Sequence, residues 1–115
     1  MLSKFDFTFY PRHRFAKVHK HHIMDIPRGV EFTTAAAIPE AWITAYQLLF
    51  KVAKIKEDET ALIMAGASGV GTVLIQLCRY AGASSIAVCS SHEKIERCKA
   101  LGAFDGINHK QTPNY

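Results

Sequence analysis

The 115-residue sequence holds only three cysteines, Cys78, Cys89 and Cys98, and no two of them stand in C-x-x-C spacing. An odd, scattered set excludes a disulfide framework and makes a reducing compartment the default, with the cytoplasm the expected location. No G-K-[ST] follows the glycine-rich stretch, which rules out a P-loop. An unbroken apolar run of membrane-spanning length is also lacking. Residues 60–78 are uncharged, but three glycines and a serine split them into a short strand, a tight turn and a helix start, so no membrane partner is expected. The first residues carry no long apolar stretch, and no secretory signal is expected.

What is present is ordinary for a globular chain: 49% hydrophobic and 21% charged residues. That balance excludes a disordered tail, a collagen-like repeat and a coiled coil. The net charge of +4 is unevenly placed, with six basic against two acidic side chains in residues 1–28 and eight of each thereafter. Two readings of that basic quarter stand: an arm for nucleic acid, or a solvated surface that meets another part of a larger protein. The second is the bland one, and no nucleic-acid partner is expected. His19, His21 and His22, with His13 nearby, raise the question of a metal. Histidines on an uncertain strand are ordinary surface residues, and the cysteines lack ligand spacing, so no metal is expected.

Alternation of Phe5, Phe7 and Phe9 gives a weak strand signal. Residues 15–22 and 23–26 suggest two more short strands, and Pro27-Arg28-Gly29 a turn. From Glu31 the pattern becomes helical. Thr33 or Thr34 is placed to cap a short turn that Pro39 stops. A longer helix over about 40–53 follows, with Trp42, Tyr46, Leu49 and Phe50 at helical spacing. Residues 54–59 read as a charged loop, 60–64 as a buried strand, and 70–80 as a helix ended by Gly82. Residues 85–89 form a second buried strand. Ser90 and Glu93 fit a capping box ahead of a helix over 92–101, which Gly102 ends. Residues 106–108 are a third strand. Apolar strands alternating with helices indicate a parallel sheet covered on both faces. Three strands with two crossovers make one half of a doubly wound sheet, so the chain is expected to be a fragment of a longer protein.

The chemistry concentrates in Gly66-Ala67-Ser68-Gly69-Val70-Gly71, between a strand and a helix. A helix N-terminus offers unpaired N–H groups and a positive dipole end to a pyrophosphate. Gly66 permits the turn off the strand, and Gly71 close packing of the helix. Ser68 replaces the middle glycine of a G-x-G-x-x-G fingerprint, small enough to leave room and able to bond a phosphate oxygen. The same turn also serves simple packing in other folds. At the end of the second strand, where a carboxylate would hold the ribose 2′-hydroxyl of NAD, stand Cys89, Ser90 and Ser91, with Lys94 one turn on. Hydroxyls and an ammonium attract a 2′-phosphate, so NADPH is expected as cofactor rather than NADH.

The runs A-A-A-I-P-E-A-W-I-T-A-Y-Q-L-L (residues 35–49), A-G-A-S-G-V-G-T (65–72) and A-L-G-A (100–103) resemble the quinone oxidoreductase branch of the medium-chain dehydrogenases/reductases. The resemblance covers about residues 14–110; residues 1–13 are unmatched. It implies an α/β fold: the first half of a Rossmann-type doubly wound parallel sheet, preceded by remnant strands of a GroES-like domain. Residues 1–30 would be that remnant, and 31–115 the linking helix and the N-terminal half of the NADPH-binding domain. The implied activity is zinc-independent, NADPH-dependent hydride transfer to a quinone or conjugated carbonyl, by a homo-oligomer when full length. The resemblance sets Thr44 near the nicotinamide, and His109 where the family has a tyrosine near the 2′-phosphate. This chain alone is expected to be inactive, because the part that surrounds nicotinamide and substrate is absent. Two alternatives remain: an enoyl reductase acting on thioesters, and a truncated non-catalytic fragment that binds nucleotide or a partner.

Overall fold

The computed structural model describes residues 18–112. The strand expected around Phe5, Phe7 and Phe9, and His13, lie outside the described residues. Residues 18–31 form no strand. A single 3-10 turn, Lys20–His22, is closed instead by a local contact in which His19 Nδ1 accepts from the His21 amide at 3.4 Å. The strands expected over 15–22 and 23–26 therefore do not appear among the described residues: no neighbouring strand is there to pair with them. The turn at Pro27-Arg28-Gly29 is present, with Val30 N–H donating to Pro27 O and Gly29 at φ 82°.

The first helical stretch runs without interruption through Pro39. Helix α1 (Phe32–Ala37) passes into a π-helical turn, Ile38–Trp42, then α2 (Ile43–Tyr46) and a second π turn, Gln47–Val52. A stop at Pro39 was the expectation. The pyrrolidine ring lacks an N–H and crowds the turn before it, and the wider π turn accommodates it while the chain keeps winding. The cap also differs: Glu31 occupies the N-cap without a side-chain bond, and Thr33 and Thr34 lie inside the helix. Ala45 and Leu49 are the buried face of this stretch and join the core beside α3.

The remaining elements alternate strand and helix. They are β1 (Thr60–Ile63), α3 (Gly69–Tyr80), β2 (Ser84–Cys89), α4 (His92–Leu101) and β3 (Asp105–Asn108). The three strands are parallel in the order β1-β2-β3, with Ile63 beside Ala87 and Val88 beside Ile107. Apolar spacing along α3 puts Val73, Leu77 and Cys78 in the core with Ile75. α4 contributes Ile95 and Cys98. α3 and α4 pack on each other and on the sheet. Where α4 ends, Gly102 takes φ 114°, a left-handed cap that a side chain resists.

Among the described residues the second sheet face is covered only in part: Val88 on it is buried. α3 and α4 take up one face, where Ala87 is fully buried, whereas Leu62 on β1 is 54% exposed. β1 thus reads exposed, half-buried, exposed, buried, rather than as a strand buried throughout. Of the uncharged stretch 60–78, the structure makes a strand, a turn and a helix. Among the described residues no helix is long and apolar enough to cross a membrane.

Candidate cofactor cleft

Parallel strands deliver the turns that follow them to the same end of the sheet. Here the turns after β1, β2 and β3 enclose a cleft of about 520 Å³ lined by Met64, Ala65, Ala67, Ser68, Val88, Cys89, Ser90, Lys94 and His109.

The turn after β1 is shaped by close approach. Ala65 takes φ 51°, so the left-handed step falls on an alanine rather than on Gly66. Gly66 is needed for a different reason than the turn: a Cβ there would sit 2.7 Å from the Ala87 Cβ. Its amide donates to Val88 O at 3.0 Å and ties the turn to β2. At Gly71 a Cβ would lie 2.5 Å from Ala65 O and 2.7 Å from Gly66 O, so α3 starts hard against the turn. Gly69 is the opposite case: a Cβ there would meet nothing within 4 Å.

Ser68 is the N-cap of α3. Its Oγ accepts from the Gly71 amide at 3.1 Å, which leaves the hydroxyl proton free to donate outward. Among the described residues, the amides of Gly69 and Val70 have no protein acceptor. Two free N–H groups, the helix dipole and open space before Gly69 make an anion cradle.

Across the cleft, Lys94 Nζ donates to Ser90 Oγ at 3.2 Å. No carboxylate lines the cleft. Glu93 points away and pairs with Arg97 at 2.7 Å. The capping box expected on Ser90 is displaced by one residue: Ser91 is the N-cap of α4, accepting from the Lys94 amide at 3.4 Å. Ser90 is thereby left facing the cleft rather than the helix. His109 reaches the cleft because its amide donates to Cys89 O at 3.0 Å, which pins the turn after β3 to the end of β2.

The structure thus brings Ala67, Ser68, Ser90, Lys94 and His109 around one space, with Gly66, Gly69, Val70 and Gly71 forming the adjoining helix start. Ser91 serves the α4 cap. Thr44 lies on α2, half-buried and outside the cleft. Sequence reasoning missed Met64, Ala65 and Val88; the rule that ligands bind beyond the carboxyl ends of parallel strands would have found them. It also missed that Cys89 and Cys98 meet, with 3.8 Å between their sulfurs. Burial, helped by Cys89, pushes the Cys98 thiol up to about 11. Burial alone raises Cys78. Among the described residues no group of three or more His, Cys, Asp or Glu is placed to hold a metal ion.

This strand–turn–helix arrangement defines the chain as a Rossmann-type α/β fragment. No protein-family profile matches it. It is similar to solved and curated oxidoreductases all the same. Escherichia coli quinone oxidoreductase, solved in complex with NADPH, superposes with a TM-score of 0.72 at 34% identity, over 75% of this chain and 26% of that one. A zinc-type alcohol dehydrogenase-like protein of Schizosaccharomyces pombe is 35% identical over 104 residues, 89% of this chain and 30% of the relative. A highly reducing polyketide synthase of Fusarium pseudograminearum is 40% identical over 85 residues, 74% of this chain and 3% of that protein. The chain therefore spans less than a third of the curated relatives it matches. Over that span it resembles the quinone oxidoreductase branch of the medium-chain dehydrogenases/reductases.

Proposed function

We propose that the cleft binds NADPH, and that the intact protein is a zinc-independent reductase passing hydride to a quinone or another conjugated carbonyl. One observation carries the cofactor reading. The unpaired amides at the start of α3 adjoin the cleft that holds the Lys94–Ser90 pair, and no carboxylate lines it. The first feature suits a pyrophosphate, and the second an added phosphate on the adenosine ribose. The likeness to an NADPH-bound quinone oxidoreductase supports the same assignment.

The residues fit the cofactor in kind. Gly69 leaves the space, Ser68 holds the helix start and keeps a proton to donate, and His109 offers a ring at the cleft wall. When bound, the cofactor itself supplies the hydride. This chain's part is to hold the anionic ends of the dinucleotide. Thr44 is assigned to the nicotinamide side through the family resemblance, since it stands outside the cleft. The chain alone is inactive in this reading, because nothing among the described residues encloses an acceptor beside the cofactor.

A second reading, an enoyl reductase acting on thioesters, draws on the likeness to a highly reducing polyketide synthase. Both readings share the cofactor cleft and differ only in the acceptor. Fluorescence titration of the 115-residue chain tests the cofactor step. NADPH is expected to bind more tightly than NADH; equal affinity, or no binding of either, overturns the reading. Assays of the full-length protein with quinones and with unsaturated thioesters separate the two acceptors.

A further inference from the structure

Two thiols meet at the floor of the cleft. Cys89 ends β2 and lines the cleft, while Cys98 lies on the buried side of α4. Their sulfurs are 3.8 Å apart, in van der Waals contact, and both side chains are shielded from bulk water. A disulfide brings the two sulfurs to about 2.05 Å, so bonding requires them to approach further from this contact. The sulfurs are not held apart by an intervening group: the contact between them is direct. Cys78, the remaining thiol, is fully buried and has no such partner among the described residues.

We propose that Cys89 and Cys98 form a peroxide-oxidisable dithiol site whose access runs through the cleft. In the first step the Cys89 thiolate attacks a peroxide oxygen. The S–O bond forms as the O–O bond breaks, the departing oxygen leaves as hydroxide and takes up the thiol proton as water, and Cys89 becomes a sulfenic acid. In the second step the Cys98 sulfur attacks that sulfenic sulfur. The S–S bond forms, the S–O bond breaks, and the hydroxyl leaves with the Cys98 proton as a second water. Both thiols are oxidised by two electrons together, and one hydrogen peroxide is reduced to two waters.

The location gives the site its consequence. The bridge closes a ring over residues 89–98 that carries Ser90, Ser91 and Lys94, the segment assigned above to the cofactor's ribose end. A dinucleotide in the cleft covers Cys89, so occupancy protects the pair. That second statement rests on the cofactor reading; the dithiol itself does not.

The test treats the native chain with hydrogen peroxide, alkylates it after unfolding, and maps the peptides. Expected is a mass lower by about 2 Da, a reversible 89–98 cross-link, and an alkylated Cys78. Cys78→Ser leaves the cross-link intact. Cys98→Ser abolishes it and leaves Cys89 as a sulfenic acid that dimedone traps. If both Cys89 and Cys98 of the native chain stay alkylatable after peroxide, the dithiol site is overturned, whatever the NADPH titration gives. NADPH is expected to slow the cross-link. A cross-link that forms at the same rate with saturating NADPH upholds the dithiol and overturns its gating by the cleft.

Discussion

Two glycines two residues apart at the start of α3 separate the fold from the site. At Gly71 an added methyl would sit 2.5 Å from Ala65 O, about an ångström inside ordinary contact, and the obstacle is backbone. Relief requires α3 to slide away from the turn after β1. Overpacking of this kind costs about 1–3 kcal/mol, offset by about 1 kcal/mol from removing a glycine's helix penalty. Gly71→Ala is therefore expected to lose up to about 2 kcal/mol and to lower the melting temperature by up to about 10 °C for a chain of this size. Gly69→Ala adds its methyl to open space. Its stability is expected to be unchanged or raised by up to about 1 kcal/mol. The same methyl fills the room in front of the free amides, so NADPH binding is expected to fall by about 10-fold or more, equivalent to at least about 1.4 kcal/mol. Circular dichroism melts and NADPH fluorescence titrations of both variants are the assay. The reasoning is refuted if Gly71→Ala is as stable as Gly69→Ala, or if Gly69→Ala binds NADPH as the native chain does.

Lys94→Ala removes a charge-assisted contact worth about 1.5–3 kcal/mol, so NADPH affinity is expected to fall about 10–100-fold while NADH affinity holds; equal loss for both, read by titration, speaks against the 2′-phosphate role. Ser68→Ala removes the cap that accepts from Gly71 and is expected to cost about 1 kcal/mol in urea unfolding, since the amide it satisfied reverts to water. Lys99 and Asp105 are bonded at 2.9 Å across α4 and β3, and each stabilises the charged form of the other: the Asp105 carboxyl lies below the usual range, and the Lys99 ammonium above its own. The Asp105 contribution is thus present above the ordinary carboxylate range and lost as pH falls through its lowered value. The Lys99 contribution is present below the ordinary lysine range and lost as pH rises through its raised value. Asp105→Asn is expected to flatten the acid limb of the stability profile measured by chemical denaturation. Finally, with its thiol held at about 11 rather than 9.0, Cys98 carries about 100-fold less thiolate at pH 8. Its alkylation in the folded chain is expected to lag that of an ordinary thiol by at least that factor, followed by mass spectrometry.

The alternation of strands and helices beyond residue 59 was legible because local signals agreed there. Apolar runs, a glycine-rich turn, a serine pair ahead of α4 and Gly102 all pointed to the same elements, and the observed bounds fall within a residue of the reading. Where two neighbours carried the same signal, the sequence did not choose between them. Ser90 and Ser91 both precede a helix, and only the geometry shows that Ser91 caps it while Ser90 turns to Lys94. Pro39 looked like a stop because the rule describes α-helices, and a π turn is not one. The strands read over residues 18–26 do not form, since strand patterns require a neighbouring strand, which a single sequence does not display. Burial of β1 was overestimated for the same reason: apolar side chains announce a preference for cover but not its presence. The Cys89–Cys98 contact joins a strand end to the second turn of a helix, and spacing along the chain carries no trace of it.

The walls of the cleft come from three different strand ends: Ser68 stands on the turn after β1, His109 on the turn after β3, and Lys94 on the first turn of the helix that follows β2. Such side chains have little to say to one another while the space between them is empty. A molecule that touches all three becomes the medium through which they communicate, so pairwise substitutions among them should add up simply in the free chain and depart from additivity once the space is filled. Cooperation among these groups would then belong to the complex rather than to the folded polypeptide.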